Sequence, residues 1–206
     1  MTRVRLGRAE RKEEILEAAA RLFREKGFLA VTMEDVVRAT TLSKGGIYHY
    51  YANTTEMLSD LMEKGIAYRT DVMKKAYESE EGMDPDVFFA EMLFEKMLSD
   101  HPYTEIYAQF LIAKARNEDL EELFQRLKAL TKVSFVEAFG DKGAFYMNAE
   151  AFDLVTDLVT DLVNAMILAT TTLGAREHFL AHREELVHGL TLTLREIHKG
   201  GRNETL

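Results

Sequence analysis

Apolar residues recur at three- and four-residue steps along nearly the whole chain, and the breaks in that rhythm divide it into helices. Ile15, Ala18, Ala19, Leu22 and Phe23 form one stripe, which predicts a first helix from about 9 to 26 that Gly27 stops. Thr32, with Asp35 three residues on, signals the start of a second helix whose apolar side is Val36, Val37 and Ala39. Thr40-Thr41 interrupts that helix before Ser43 caps a third, and two helices so close together cross steeply, as in a helix-turn-helix. Further helical stretches run from about 55 to 77, 85 to 99, 103 to 115, 117 to 139, 149 to 173 and 177 to 198. A charged break, ESEEGMD at 78–84, precedes Pro85, which suits a helix start. Strand alternation is essentially absent, so the chain reads as all-α: a three-helix head and a helical body, about nine helices together.

The third helix carries Lys44, Gly45, Gly46, Tyr48, His49 and Tyr50, with little bulk at its N-terminal end and hydrogen-bonding tips beyond. Two adjacent glycines inside a short helix cost about 1 kcal/mol each relative to alanine. Close approach of the backbone to a DNA groove supplies a reason for that cost. The net charge of −9 looks wrong for such a role until it is counted locally. Residues 1–51 hold ten Lys/Arg against seven Asp/Glu, or +3, and the rest hold 16 against 28, or −12. Salt screens charges beyond about 8 Å, so the local balance near the duplex is what counts. The same shift in composition sets a functional boundary near 52, with a DNA-binding domain at 1–51 and a second domain at 52–206. Arg3, Arg5 and Arg8 form a basic arm that is either a mobile terminus or a source of phosphate or minor-groove contacts.

Other chemistry finds no residues to carry it. There is no cysteine, hence no disulfide framework or thiolate metal site, and the start shows no signal-peptide pattern, so the cytoplasm is expected. No apolar run approaches the ~18 residues of a membrane span. His178 and His182, with Glu185 further on, have a spacing that metal ligands can use, but they read as surface polar residues. No nucleophile–base pair or Gly-rich phosphate loop is visible, so neither enzyme, cofactor nor metal is expected.

The segments ILEAAARLFREKGF, VTMEDVV and LSKGGIYHYYANTTEML, in that order and spacing, resemble the N-terminal DNA-binding domain of the TetR family of transcriptional regulators. The resemblance implies that Thr32 and Ser43 cap their helices and touch phosphates, and that Lys44, Gly45 and Gly46 face base edges or flanking phosphates. It further implies a phosphate contact for Tyr48, backbone or base contacts for His49 and Tyr50, and core positions for Ile47 and Tyr51. Three positions depart from the family pattern. Thr41 replaces the usual turn glycine, at an expected backbone cost. Val37 replaces a small alanine, and Thr54 stands where a lysine commonly anchors a phosphate, leaving a hydroxyl and the helix N-terminus for that contact. The resemblance also implies a homodimer on a palindromic double-stranded operator, released by a small molecule bound in the body.

The body is rich in large deformable side chains. Phe89, Met92, Phe94, Tyr103, Tyr107, Phe110, Phe124 and Phe152 are read as lining an apolar ligand cavity among the fifth to eighth helices. The eighth helix contains the tandem DLVTDLVTDLVN, which places Leu and Val on one side and Asp153, Asp157 and Asp161 on the other. That acidic face is either solvated or aimed at the cavity or the partner subunit. In the second case Asp157 favours a cationic amphiphile, or pairs with Arg176 or Arg183. Phe179, Leu186, Val187, Leu190, Leu194 and Ile197 give the last helix a strong apolar stripe, expected to form the dimer seam. Two rivals remain: a helical small-molecule binding protein with a vestigial head, and an enzyme using the aromatic cavity.

Overall fold

The computed structural model describes residues 7–79, 82–139 and 154–203. Phe152, Asp153, Arg3 and Arg5 lie outside the described residues. Ten α-helices are present among those described: α1 (Arg8–Lys26), α2 (Met33–Ala39), α3 (Lys44–Tyr48), α4 (Thr54–Ser79), α5 (Pro85–Leu98), α6 (Pro102–Lys114), α7 (Glu118–Phe139), α8 (Thr160–Thr172), α9 (Arg176–Ala181) and α10 (Arg183–Asn203). A 3-10 turn, Phe28–Ala30, follows α1, and a π turn, Val155–Val159, leads into α8. The single last helix expected from the sequence is two, because the backbone breaks at His182 (φ −116°, ψ 31°).

The helices pack as two compact units. One holds the described residues through Gly65 together with His101–Leu127, and the other holds Ile66–Asp100 and those from Lys128 on. In the first, Ile15, Ala19, Phe23, Val36, Ile47, Met57 and Leu58 are wholly buried, and each large apolar side chain removed from water stabilises by about 1.5–3 kcal/mol. Gly27 turns the chain at φ 84°, which needs glycine, and Phe28 then packs edge-on against Phe23 with ring centroids 5.2 Å apart. Helix α6 joins this core through α1, and the Phe28 N–H donates to Gln109 Oε1 at 2.9 Å.

In the second unit α5 packs against both α8 and α10. It is apolar nearly all round, with Phe88, Phe89, Ala90, Phe94, Met97 and Leu98 buried, and such a helix needs cover on several sides. The tandem four-residue repeat resolves differently from its helical-wheel reading. Val159 and Val163 are buried, whereas Leu154, Leu158 and Leu162 stay exposed. Four residues overshoot an α-turn by about 40°, so a tetrad pattern drifts around a regular α-helix. A π turn, with its i→i+5 bond, takes more residues per turn and offsets the drift, which keeps the three leucines on one side.

Candidate nucleic-acid interface

Reciprocal capping fixes the start of α2. The Thr32 hydroxyl accepts from the Asp35 N–H at 3.2 Å, and Asp35 Oδ2 accepts from the Thr32 N–H at 3.0 Å and from its hydroxyl at 2.7 Å. Lys26 pairs with the other Asp35 oxygen at 2.8 Å. Lys26 first, and Thr32 second, hold this carboxyl well below the usual carboxylate range.

The turn between α2 and α3 is tied to α1. Glu14 Oε1 accepts from the Thr41 N–H at 2.8 Å and from its hydroxyl at 2.6 Å, while Arg11 donates to both Glu14 and Thr41. These bonds, Thr41's hydroxyl foremost, lower the Glu14 pKa. No described non-glycine residue has a positive φ, so the backbone cost expected of Thr41 is absent. A threonine fits the turn because its conformation is ordinary and its hydroxyl is used.

Ser43 caps α3 by accepting from the Gly46 N–H at 3.2 Å, and Ile47 anchors the helix in the core. The two glycines have different reasons. A Cβ on Gly46 would meet Leu42 Cδ2 at 3.3 Å and Ser43 Oγ at 3.4 Å, so the head's own packing favours glycine there. A Cβ on Gly45 would meet nothing within 4 Å, so no contact among the described residues accounts for it. Lys44, Tyr48 and His49 are exposed and Tyr50 is half-buried, its ring edge-on to His49 at 5.3 Å. The Lys44 ammonium lies 3.7 Å from the Glu34 carboxylate and 6.0 Å from the Tyr48 ring centroid. Buried Tyr51 donates to Asp60 at 2.7 Å, and Lys12 pairs with the same carboxylate at 2.7 Å. Burial first, then Asp60, pushes the Tyr51 phenol upward.

Half-buried Thr54 opens α4. Asn53 caps this helix by accepting from the Glu56 N–H at 2.9 Å, and Glu56 accepts from the Ala52 N–H at 2.7 Å. The sequence reading missed Glu14, Glu34 and this Asn53–Glu56 pair. The Asn-x-x-Glu spacing was a usable signal for the last. Glu14 carried none, because its partner is 27 residues away. Beside this edge opens a cleft of about 670 Å³, lined by Lys12, Tyr50, Tyr51, Asn53, Glu56 and Arg126 among others, and mostly polar. None of the residues predicted for the ligand cavity lines it.

Those cavity residues fall into separate packed groups. Phe89 meets Phe135 and Phe139 at 5.4 and 5.9 Å, and the Arg183 guanidinium lies 5.3 Å from the Phe94 ring. Met92 is half-buried on the same helix. In the other unit Tyr103 packs against Gly65, and Phe110 meets Tyr107 and Phe124 in tilted contacts with centroids 6.2 Å apart. Asp157 is exposed and pairs with Lys128. Neither arginine suggested for it is available, as Arg176 pairs with Asp100 and Arg183 with Glu91 and Glu95.

Part of the predicted seam is covered within the chain. Val187, Leu190 and Leu194 are only 8%, 5% and 3% exposed, covered within the chain, where α10 packs on α5. Phe179, Leu186 and Ile197 are half-buried. Exposed apolar positions near it include Leu154, Leu158 and Leu162, at 49%, 55% and 44%, and Leu192 at 46% on α10.

Comparison with known proteins agrees with this architecture. Residues 15–61 match the family described as bacterial regulatory proteins, tetR family. The sequence is 30% identical over 132 residues to the uncharacterized HTH-type transcriptional regulator YfiR of Bacillus subtilis (strain 168), covering 63% of this chain and 62% of that relative. The chain therefore matches less than two thirds of YfiR's length. It is 26% identical over 146 residues to the HTH-type transcriptional repressor KstR2 of Rhodococcus jostii (strain RHA1), covering 68% and 70% respectively. The fold overlays on Salmonella enterica GusR with a TM-score of 0.69 at 18% identity, over 94% of this chain and 98% of that one. The capped helix-turn-helix lies within the matched segment: residues 15–61 match the DNA-binding region of the tetR family of bacterial regulatory proteins, on an all-helical fold shared with such regulators.

Proposed function

We propose that this protein is a transcriptional repressor that holds a palindromic double-stranded DNA operator as a homodimer and releases it when a small apolar or amphiphilic effector occupies the body. The observation that carries the reading is α3. Its cap and its core contact are satisfied within the head, while Lys44, Gly45, Tyr48 and His49 face solvent and Gly45 leaves open space in front of the backbone. Residues 1–51 do the reading, supported by α6 and the start of α7 in the same compact unit. Thr32, Ser43, Tyr48 and Thr54 supply phosphate contacts, and Lys44, Gly45, Gly46, His49 and Tyr50 meet base edges or the adjoining backbone. The repressor named among the relatives supports the sign of regulation.

Dimerisation falls to the strip of Leu154, Leu158 and Leu162 with the exposed face of α10 around Leu192, because a lone chain leaves this apolar surface in water. Two-fold symmetry then presents two α3 helices to half-sites about 34 Å apart. Helix α4 has residues in both compact units, so the effector acts through it on the spacing of the heads. A ligand that weakens DNA binding tenfold must prefer the non-binding dimer by ~1.4 kcal/mol. Selection of bound duplexes from a random pool tests the reading. A two-fold symmetric site with steeply salt-dependent affinity is expected, and recovery of asymmetric sequence, or of none, would sink it.

A further inference from the structure

Glu34 sits in the first turn of α2, yet the cap there is closed by Asp35. Its carboxylate instead lies 3.7 Å from the Lys44 ammonium at the start of α3. The two side chains remain 54% and 66% exposed, so solvent screens their attraction and the pair adds little to the stability of the head. A carboxylate on a surface that docks against DNA is also repelled by the phosphates, so its place beside Lys44 calls for a partner of another kind.

The Lys44 ammonium is also 6.0 Å from the Tyr48 ring centroid, so Glu34, Lys44 and Tyr48 form one exposed patch across α2 and α3. Next to Lys44, Gly45 leaves open space, and no side chain at that position holds the patch away from a docking surface. Chemically the pair is a donor and an acceptor side by side. The major-groove edge of a G·C base pair offers the complement: guanine O6 accepts and the cytosine N4 amino group donates, about 3 Å apart because they bond each other. Adenine also presents an amino group, but acceptors flank it on both sides, its own N7 and thymine O4, and these repel a carboxylate. The cytosine amino group has an acceptor on one side only, the guanine O6 that an ammonium can take.

We infer that Glu34 is a specificity-determining residue of the reading head: its carboxylate accepts from the N4 amino group of a cytosine in each half-site, while Lys44, held beside it, donates to O6 or N7 of the paired guanine. This rests on the reading of α3 as the groove-facing helix and deepens it, by naming a base pair that the operator contains. Helix α2 thereby reads a base as well as bracing α3. Because the two charges cancel, the pair supplies selectivity at one base pair and little of the general attraction for DNA.

The test takes the symmetric site selected from a random pool and measures, by mobility shift with the full-length protein, the affinity for every single-base-pair substitution made alike in both half-sites. Wild type is expected to show a C·G position in each half-site at which substitution weakens binding about tenfold or more. Glu34→Ala is expected to lose that preference and keep the others, and Lys44→Met to lose it at the same position. Glu34→Gln, whose amide both accepts and donates, is expected to move the preference there toward adenine. Melting temperatures of all three variants should stay near wild type, because the pair is exposed. A Glu34→Ala profile of the same shape as wild type overturns the inference, and uniformly tighter binding alongside it marks a merely repulsive charge. Weakening at every position alike overturns it too, as the sign of a structural role. Recovery of no symmetric site is a different failure: it removes the reading of α3, and the inference with it.

Discussion

The head and the body satisfy their polar groups in opposite ways. In the head, Thr32 with Asp35, Thr41 with Glu14, Ser43 with Gly46, Asn53 with Glu56 and Tyr51 with Asp60 close on one another, so the turn and both caps are fixed before any partner arrives. The body leaves business unfinished. The leucine strip along the π turn and α8 faces water, with Leu154, Leu158 and Leu162 exposed. A reading surface profits from rigidity, because binding then costs little ordering entropy. A surface whose state must change on command profits from groups that only an outside molecule completes.

The largest expected effect tests that contrast in the body. Leu158→Glu should raise the dimer dissociation constant about 100-fold or more and weaken operator binding with it, while the monomer stays folded. Leu190→Ala should instead destabilise the chain by about 2–5 kcal/mol, because that side chain is covered within the protomer. Sedimentation together with thermal unfolding separates the two, and a stable dimer of Leu158→Glu would remove the strip from the interface.

The glycine pair gives the next test. Gly45→Glu should abolish detectable operator binding and leave the melting temperature within a degree or two of wild type, since nothing in the chain occupies the space its side chain would take. Gly46→Ala should lose part of its helix-propensity gain of about 1 kcal/mol to the contact with Leu42. Wild-type affinity in Gly45→Glu would mean that α3 does not face the groove.

Glu14→Gln should cost about 1 kcal/mol of stability by weakening the bonds that pin Thr41. The folded-state pKa of Glu14 is depressed, so its contribution is fully present above the ordinary carboxylate range and is lost as pH falls through the lowered value. Acid titration of stability should therefore flatten in the variant, and an unaltered acid limb would show that the tie to Thr41 does not form in solution. The smallest effect is Thr54→Lys, which should tighten binding to all operator sequences alike and steepen the salt dependence by about one counterion. Tightening confined to particular sequences would show that position 54 reads bases.

Legibility in the sequence followed the range of each interaction. The Thr32–Asp35 box, the Ser43 cap and the Gly27 stop each act within a few residues, and the spacing predicted all three. The Asn53–Glu56 pair was equally local and was overlooked. Thr41 looked costly only because its remedy, Glu14, sits a helix away. The pairing of Asp157 with Lys128 and the covering of part of the α10 stripe by α5 were hidden for a related reason. Periodicity tells which residues share a face of a helix, but not which neighbour that face will meet.

The sequence by itself therefore determined the all-α class, the helix-turn-helix with its caps, and the basic head on an acidic body. All of these depend on contacts within a turn or two, or on composition. Tertiary structure alone decided that α5 covers Val187, Leu190 and Leu194 and that a π turn holds three leucines outward. Those outcomes turn on the phase of one helix against another, which no single helix encodes.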